Sequence, residues 1–176
     1  MQRQTSTHQS QICAVANHPA LAARLALVAA LPLTACFNHG MPLDSTVEVT
    51  PGTAMVDAVP APTLLVTTYN VHRIASEDLL QAFLDTPQLQ NADIVLLQEV
   101  YKSDECSPAC YVANALGRHA LYAPGHGVDD GEHSDGVAII SKQPLAHAEV
   151  IELPDNHVVV NGGRRIALYA QAQWGS

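Results

Sequence analysis

Leu64-Leu65-Val66-Thr67-Thr68-Tyr69-Asn70 and Asp93-Ile94-Val95-Leu96-Leu97-Gln98-Glu99 decide how this chain is read. Each is a short apolar run of strand length that ends on a polar residue, so both read as buried strands. Glu99 and Asn70 then bring a carboxylate and an amide to the same edge of a sheet. Those are the groups that a divalent cation and a phosphate ester require, so the two runs point to chemistry as well as to fold.

Outward from these strands the chain alternates strands and helices. Ser76 is placed to cap a helix, with Glu77 and Asp78 in the first turn where the helix dipole favours them. Leu79, Leu80, Phe83 and Leu84 make its apolar face, and Pro87 is its expected stop. A second helix is expected over residues 111–116 with Gly117 as its C-terminal stop. A short strand is expected over 119–123, then a glycine- and acid-rich loop over 124–135. Further strands are expected over 136–141, 149–153 and 165–173, the last alternating Ile166, Leu168 and Ala170 against Ala167, Tyr169 and Gln171. No internal repeat is visible.

The 176 residues allow one domain of ordinary size, and 48% apolar content supports a buried core. A formal charge of -9 argues against a surface that coats nucleic acid, because non-specific affinity for DNA comes from lysines and arginines. The charge does not argue against a metal-dependent nuclease, in which the cation meets the phosphate.

The first 36 residues read as a targeting segment. Arg3 and Arg24 are their only Lys, Arg, Asp or Glu residues, and Leu25-Ala26-Leu27-Val28-Ala29-Ala30-Leu31-Pro32-Leu33 is too short to span a bilayer. Leu33-Thr34-Ala35-Cys36 resembles the lipobox of bacterial lipoproteins, which implies acylation of Cys36, export to the cell envelope and a membrane anchor. A buried helix that happens to carry a cysteine is the alternative. Cleavage before Cys36 would leave a net charge of -11. Several acyl chains on one cysteine hold a protein at a membrane where one chain binds only marginally. Residues 37–63, with Pro42, Pro51, Pro60 and Pro62, read as an extended tether to a domain over 64–176. Cys106 and Cys110 are placed for a small disulfide loop in an oxidising compartment, with free thiols or zinc as alternatives.

Three stretches carry a resemblance. Thr67-Thr68-Tyr69-Asn70-Val71, Asp93-Ile94-Val95-Leu96-Leu97-Gln98-Glu99-Val100 and Ser134-Asp135-Gly136-Val137-Ala138-Ile139-Ile140-Ser141-Lys142 resemble, in order and spacing, the first three signature blocks of the endonuclease/exonuclease/phosphatase superfamily. Deoxyribonuclease-I-like nucleases, abasic-site endonucleases, sphingomyelinases and inositol-phosphate phosphatases belong to it. Arg164-Arg165-Ile166-Ala167-Leu168 resembles the strand that follows in many bacterial members.

The resemblance implies an α/β fold, the N-terminal half of a four-layer α/β/β/α sandwich, with one mixed sheet and flanking helices. It implies that Glu99 is the metal-ligand glutamate and that Asn70 helps position metal and phosphate. Tyr122 matches a tyrosine that touches the phosphate in some family nucleases. Gln98 reads as a structural support. The implied cofactor is Mg2+, or another divalent cation such as Mn2+ or Ca2+, and the implied substrate is a phosphate ester of a nucleic acid, a phospholipid or a small molecule. No protein partner is inferable.

The family's later Asp-x-Asn and Ser-Asp-His blocks do not occur before Ser176. The expectation is therefore a chain covering one sheet of a two-sheet sandwich, with an exposed inner face and little activity alone. A non-catalytic lipoprotein remnant is the alternative function. Other polar residues have bland readings. His72 is either a phosphate contact or a loop residue. Asp129, Asp130, Glu132 and Asp135, with His126 and His133, read as a solvated acidic loop rather than a calcium site. Lys142 reads as structural, and Arg164 and Arg165 guide an anion or protect a strand edge.

Overall fold

A computed structural model of the protein describes residues 24–29, 46–53, 63–103, 105–127, 134–153 and 165–173. The elements in chain order are β1 (Arg24–Ala29), β2 (Glu48–Thr50), β3 (Val66–Asn70), α1 (Ser76–Asp85), α2 (Pro87–Asn91), β4 (Ile94–Lys102), α3 (Pro108–Leu116), β5 (His119–Gly127), β6 (Ser134–Ser141), β7 (Leu145–Glu152) and β8 (Ile166–Gln173). They form a five-stranded sheet in the order β2-β5-β6-β4-β3 and a three-stranded sheet in the order β1-β8-β7. The larger sheet is mixed. β3 and β4 run parallel because α1 and α2 cross between them, and the remaining pairs are antiparallel.

The apolar runs are continuous because both faces of the larger sheet are covered. Along β6, Ala138 and Ile140 join Leu79 and Phe83 of α1 and Val112 and Ala113 of α3 in one core. Their neighbours Val137 and Ile139 turn to the other face and meet Ile166, Leu168 and Ala170 of β8. Successive side chains of a strand point to opposite faces, so one hydrophobic run serves two cores. Burial of side chains such as Phe83 and Leu168 stabilises the fold by roughly 1.5–3 kcal/mol each.

The mixed sheet with its helices is the expected α/β arrangement, consistent with a partial deoxyribonuclease-I-like fold. The expectation of a single sheet with an exposed inner face is corrected. β7 and β8 form a second sheet on that face, because β8 alternates and its apolar side closes over Leu121, Val137 and Ile139. Glu48–Thr50, inside the stretch expected as tether, is an edge strand paired with β5. Arg24–Ala29, inside the stretch expected as a targeting segment, is paired with β8. Cys36, the rest of residues 1–45, residues 129–133 with their acids and His133, and Arg164 lie outside the described residues. Among the described residues, no helix is long and apolar enough to cross a membrane.

Element boundaries also move. Ser76 is the first residue of α1 while Ala75 holds the cap position, and no side chain caps that end. Pro87 opens α2 at its first position, where the missing N–H costs nothing. α3 begins three residues earlier than expected. Ser107 caps it by accepting the Cys110 N–H at 3.1 Å, and Gly117 ends it in the left-handed region at φ 67°. Residues 124–127 continue β5 where a loop was expected, and β6 starts at Ser134.

Candidate functional site

β3 ends on Asn70, whose register partner on β4 is Gln98. Against β6 the β4 register shifts between Leu97 and Val100, which makes Gln98 and Glu99 a bulge. Such a bulge locally breaks the ladder and re-aims a side chain. Glu99 takes φ 55°, and the turn after β3 holds His72 at φ 47° and Arg73 at φ 59°. Three non-glycine residues in the left-handed region store strain of about 1–3 kcal/mol each, and that strain concentrates where the two strands meet. The two segments are clipped by backbone bonds: Val71 N–H donates to the Gln98 carbonyl and Arg73 N–H to the Glu99 carbonyl, each at 2.9 Å.

This backbone brings Asn70 and Glu99 together. Asn70 Nδ2 donates to Glu99 Oε1 at 2.9 Å, and the His72 backbone N–H donates to Asn70 Oδ1 at 3.0 Å, which orients the amide with its nitrogen toward the carboxylate. His72 Nδ1 lies 3.0 Å from Glu99 Oε2. The His72 side chain is 81% exposed and that of Glu99 only 19%, so the carboxylate sits at the mouth of the site with one wet neighbour. Gln98 is buried, and its amide donates to Thr68 Oγ1 at 3.0 Å and to the Leu96 carbonyl at 3.2 Å. It ties β4 to β3 under the pair.

Asp135 departs from its solvated-loop reading. It is 6% exposed at the start of β6 and forms an ion pair with Arg73, because strand pairing carries it inward against the β3 turn. Sequence reasoning assigned Arg73 no role. The available signal was its place three residues after Asn70. Gly136, next to Asp135, has a steric cause: a Cβ there would stand 2.1 Å from the Ala123 carbonyl oxygen.

Tyr122 is 2% exposed and engaged elsewhere. Its hydroxyl donates to the Ser134 carbonyl at 3.1 Å and lies 2.7 Å from Ser134 Oγ, and burial pushes its pKa upward. Lys142 Nζ donates to the Asn91 carbonyl at 2.8 Å and to Asp93 Oδ1 at 3.3 Å, so it fastens the opposite end of β4.

A third cluster surrounds Glu48. Ser107 donates to its carboxylate from both backbone and hydroxyl, at 3.1 and 2.8 Å, and Lys102 pairs with it. Glu48, Cys106 and Cys110 bring potential ligand atoms within 4.8 Å of one another, a set that could hold a divalent metal. Cys106 and Cys110 are joined as a disulfide, so the set offers thiolates only when reduced. Glu99 offers hard carboxylate oxygens beside the exposed His72, which suits a cation that keeps most of its waters, while the Asn70 oxygen is held by the His72 N–H.

A family model described as "Endonuclease/Exonuclease/phosphatase family" matches residues 67–172, a stretch that includes Asn70, Glu99 and Asp135. No curated protein and no solved structure matches the chain.

Proposed function

The chain belongs to the endonuclease/exonuclease/phosphatase family, and on that premise we propose that it is a metal-dependent hydrolase of phosphodiesters or phosphomonoesters whose working pair is Asn70 and Glu99. The observation that carries this reading is the 2.9 Å bond from Asn70 Nδ2 to a Glu99 held at positive φ. A strained backbone that fixes one carboxylate at a bulge is a feature of functional sites. Glu99, with Asn70 beside it, would hold Mg2+ or Mn2+. Such an ion supplies charge neutralisation at a phosphoryl oxygen and lowers the pKa of bound water.

The chain's own residues do the positioning. Asn70 and His72 hold the two carboxylate oxygens of Glu99 in fixed directions. Arg73, paired with Asp135, pins the turn that carries them. Tyr122 supports β6 through Ser134 and so keeps Asp135 in place. The two described sheets and their helices support a place in a four-layer α/β/β/α sandwich. The lipobox-like Leu33-Thr34-Ala35-Cys36 supports export with a lipid anchor on Cys36, with a signal over 1–36 and a domain from 64 onward.

The test is hydrolysis of bis(p-nitrophenyl) phosphate and of DNA by the full-length protein, with magnesium and with chelator, compared with Glu99→Ala. We expect chelator to abolish the activity and Glu99→Ala to lose about 100-fold or more, the scale of removing one transition-state electrostatic partner. Equal rates in the two proteins would overturn the assignment.

A further inference from the structure

A cavity of about 430 Å³ opens between the turn after β3 and the end of β4, and its walls include Arg73, Ser76, Glu77, Tyr101, Cys106 and Tyr111. Its walls are connected to the Asn70 and Glu99 pair through the backbone. Arg73 N–H donates to the Glu99 carbonyl at 2.9 Å, and Tyr101 stands two residues beyond Glu99 on β4. We propose that this cavity receives the organic half of the phosphoester, a neutral ring-bearing group. The substrate is then a small ring-bearing phosphoester rather than duplex nucleic acid or a membrane phospholipid. The proposal rests on the phosphoester reading of the pair and deepens it.

Size, charge and surface agree. The volume lies within the range of small-molecule sites, about 300–1,000 Å³. Of the charged groups on the wall, Arg73 is paired with Asp135 and Glu77 is acidic, so no surplus positive charge awaits a second phosphate. A duplex would need several basic contacts along its backbone. A pair of acyl chains would need an apolar lining, whereas arginine, serine and glutamate share these walls.

Two aromatic rings, Tyr101 and Tyr111, stand among the apolar groups Ile74, Ala75 and Pro108 on these walls. The Arg73 guanidinium carbon lies 5.6 Å from the centroid of the Tyr101 ring, and Tyr111 is 38% exposed. Planar guanidinium and phenol groups stack with a further ring, and Ser76 offers a hydroxyl to its heteroatoms.

The experiment compares two esters with the same ring-free leaving group, thymidine 5′-(2,2,2-trifluoroethyl phosphate) and methyl 2,2,2-trifluoroethyl phosphate, on the full-length protein. In Tyr101→Ala the ratio of kcat/KM for the thymidine ester to that for the methyl ester is expected to fall about tenfold, and Tyr101→Phe to restore it. An unchanged ratio in Tyr101→Ala would overturn the proposal. If the wild-type protein hydrolyses neither ester, the phosphoester reading fails separately, and calorimetric titration with phosphate-free thymidine judges the cavity. Saturable binding that Tyr101→Ala removes would keep the cavity as a ring site, and absence of binding would reject it.

Discussion

Glu99 shows how one residue links sequence, backbone and chemistry. As the polar end of an apolar run it is legible from the chain alone, because a carboxylate closing a buried strand needs a reason to be there. Its φ of 55° is not legible, because that angle belongs to the bulge where the register of β4 shifts against β6. A non-glycine residue in this region has a Cβ close to its carbonyl oxygen, a penalty glycine escapes. Glu99→Gly is therefore expected to exceed Glu99→Ala in unfolding free energy by about 1 kcal/mol in urea titrations, although both lack the carboxylate and both should be inactive. If the alanine variant were equally stable, strain at Glu99 would not be part of the site. Arg73 and Asp135 were harder to read. Arg73 does not stand out in its local stretch, Asp135 reads there as one acid of a solvated loop, and their ion pair joins residues 62 apart in sequence.

At the scale of elements, hydrophobic periodicity located the strands and helices, and their ends depended on contacts that periodicity does not carry. Ser107 could cap α3 only because the turn before Pro108 set it at the helix entrance, with Glu48 binding its hydroxyl. β2 was invisible as a strand. Glu48-Val49-Thr50 is short and flanked by proline, and its place on the sheet comes from pairing with β5. One link in that edge is sensitive to pH. Gly52 N–H donates to His119 Nδ1 at 2.9 Å, so the ring must be neutral at that nitrogen, and burial lowers the His119 pKa below the ordinary value of about 6.5. The unfolded chain then takes up the proton first. The stabilisation is complete above the unfolded pKa and is lost as pH falls toward and through the lower folded value. Urea midpoints should drop between pH 7 and pH 5 more steeply in the wild type than in His119→Phe, and parallel curves would show that this ring does not couple the edge strand to pH.

For the whole molecule, the second sheet changes what the chain is physically. A lone sheet with Leu121, Val137 and Ile139 uncovered would bind other surfaces, and β7 and β8 close it. The apolar run before Cys36 carries two demands, since Arg24–Ala29 pairs with β8 in the structure while the following residues resemble a lipidation site. If the Cys36 thiol is acylated and the residue then becomes the new N-terminus, Cys36→Ser should move the protein from the membrane fraction of bacterial cells to the soluble one, and unchanged fractionation would remove the anchor from the proposal. The sequence by itself determined the α/β alternation, the family blocks and the two residues most exposed to chemical suspicion, because strand periodicity and a polar strand end are local properties. Only the tertiary structure decided that Asn70 and Glu99 touch, that Asp135 is buried against Arg73, that Tyr122 is buried and bonded to Ser134, and that the inner face is covered. Each of these is a contact between segments remote in sequence, set by sheet register and by the bulge in β4.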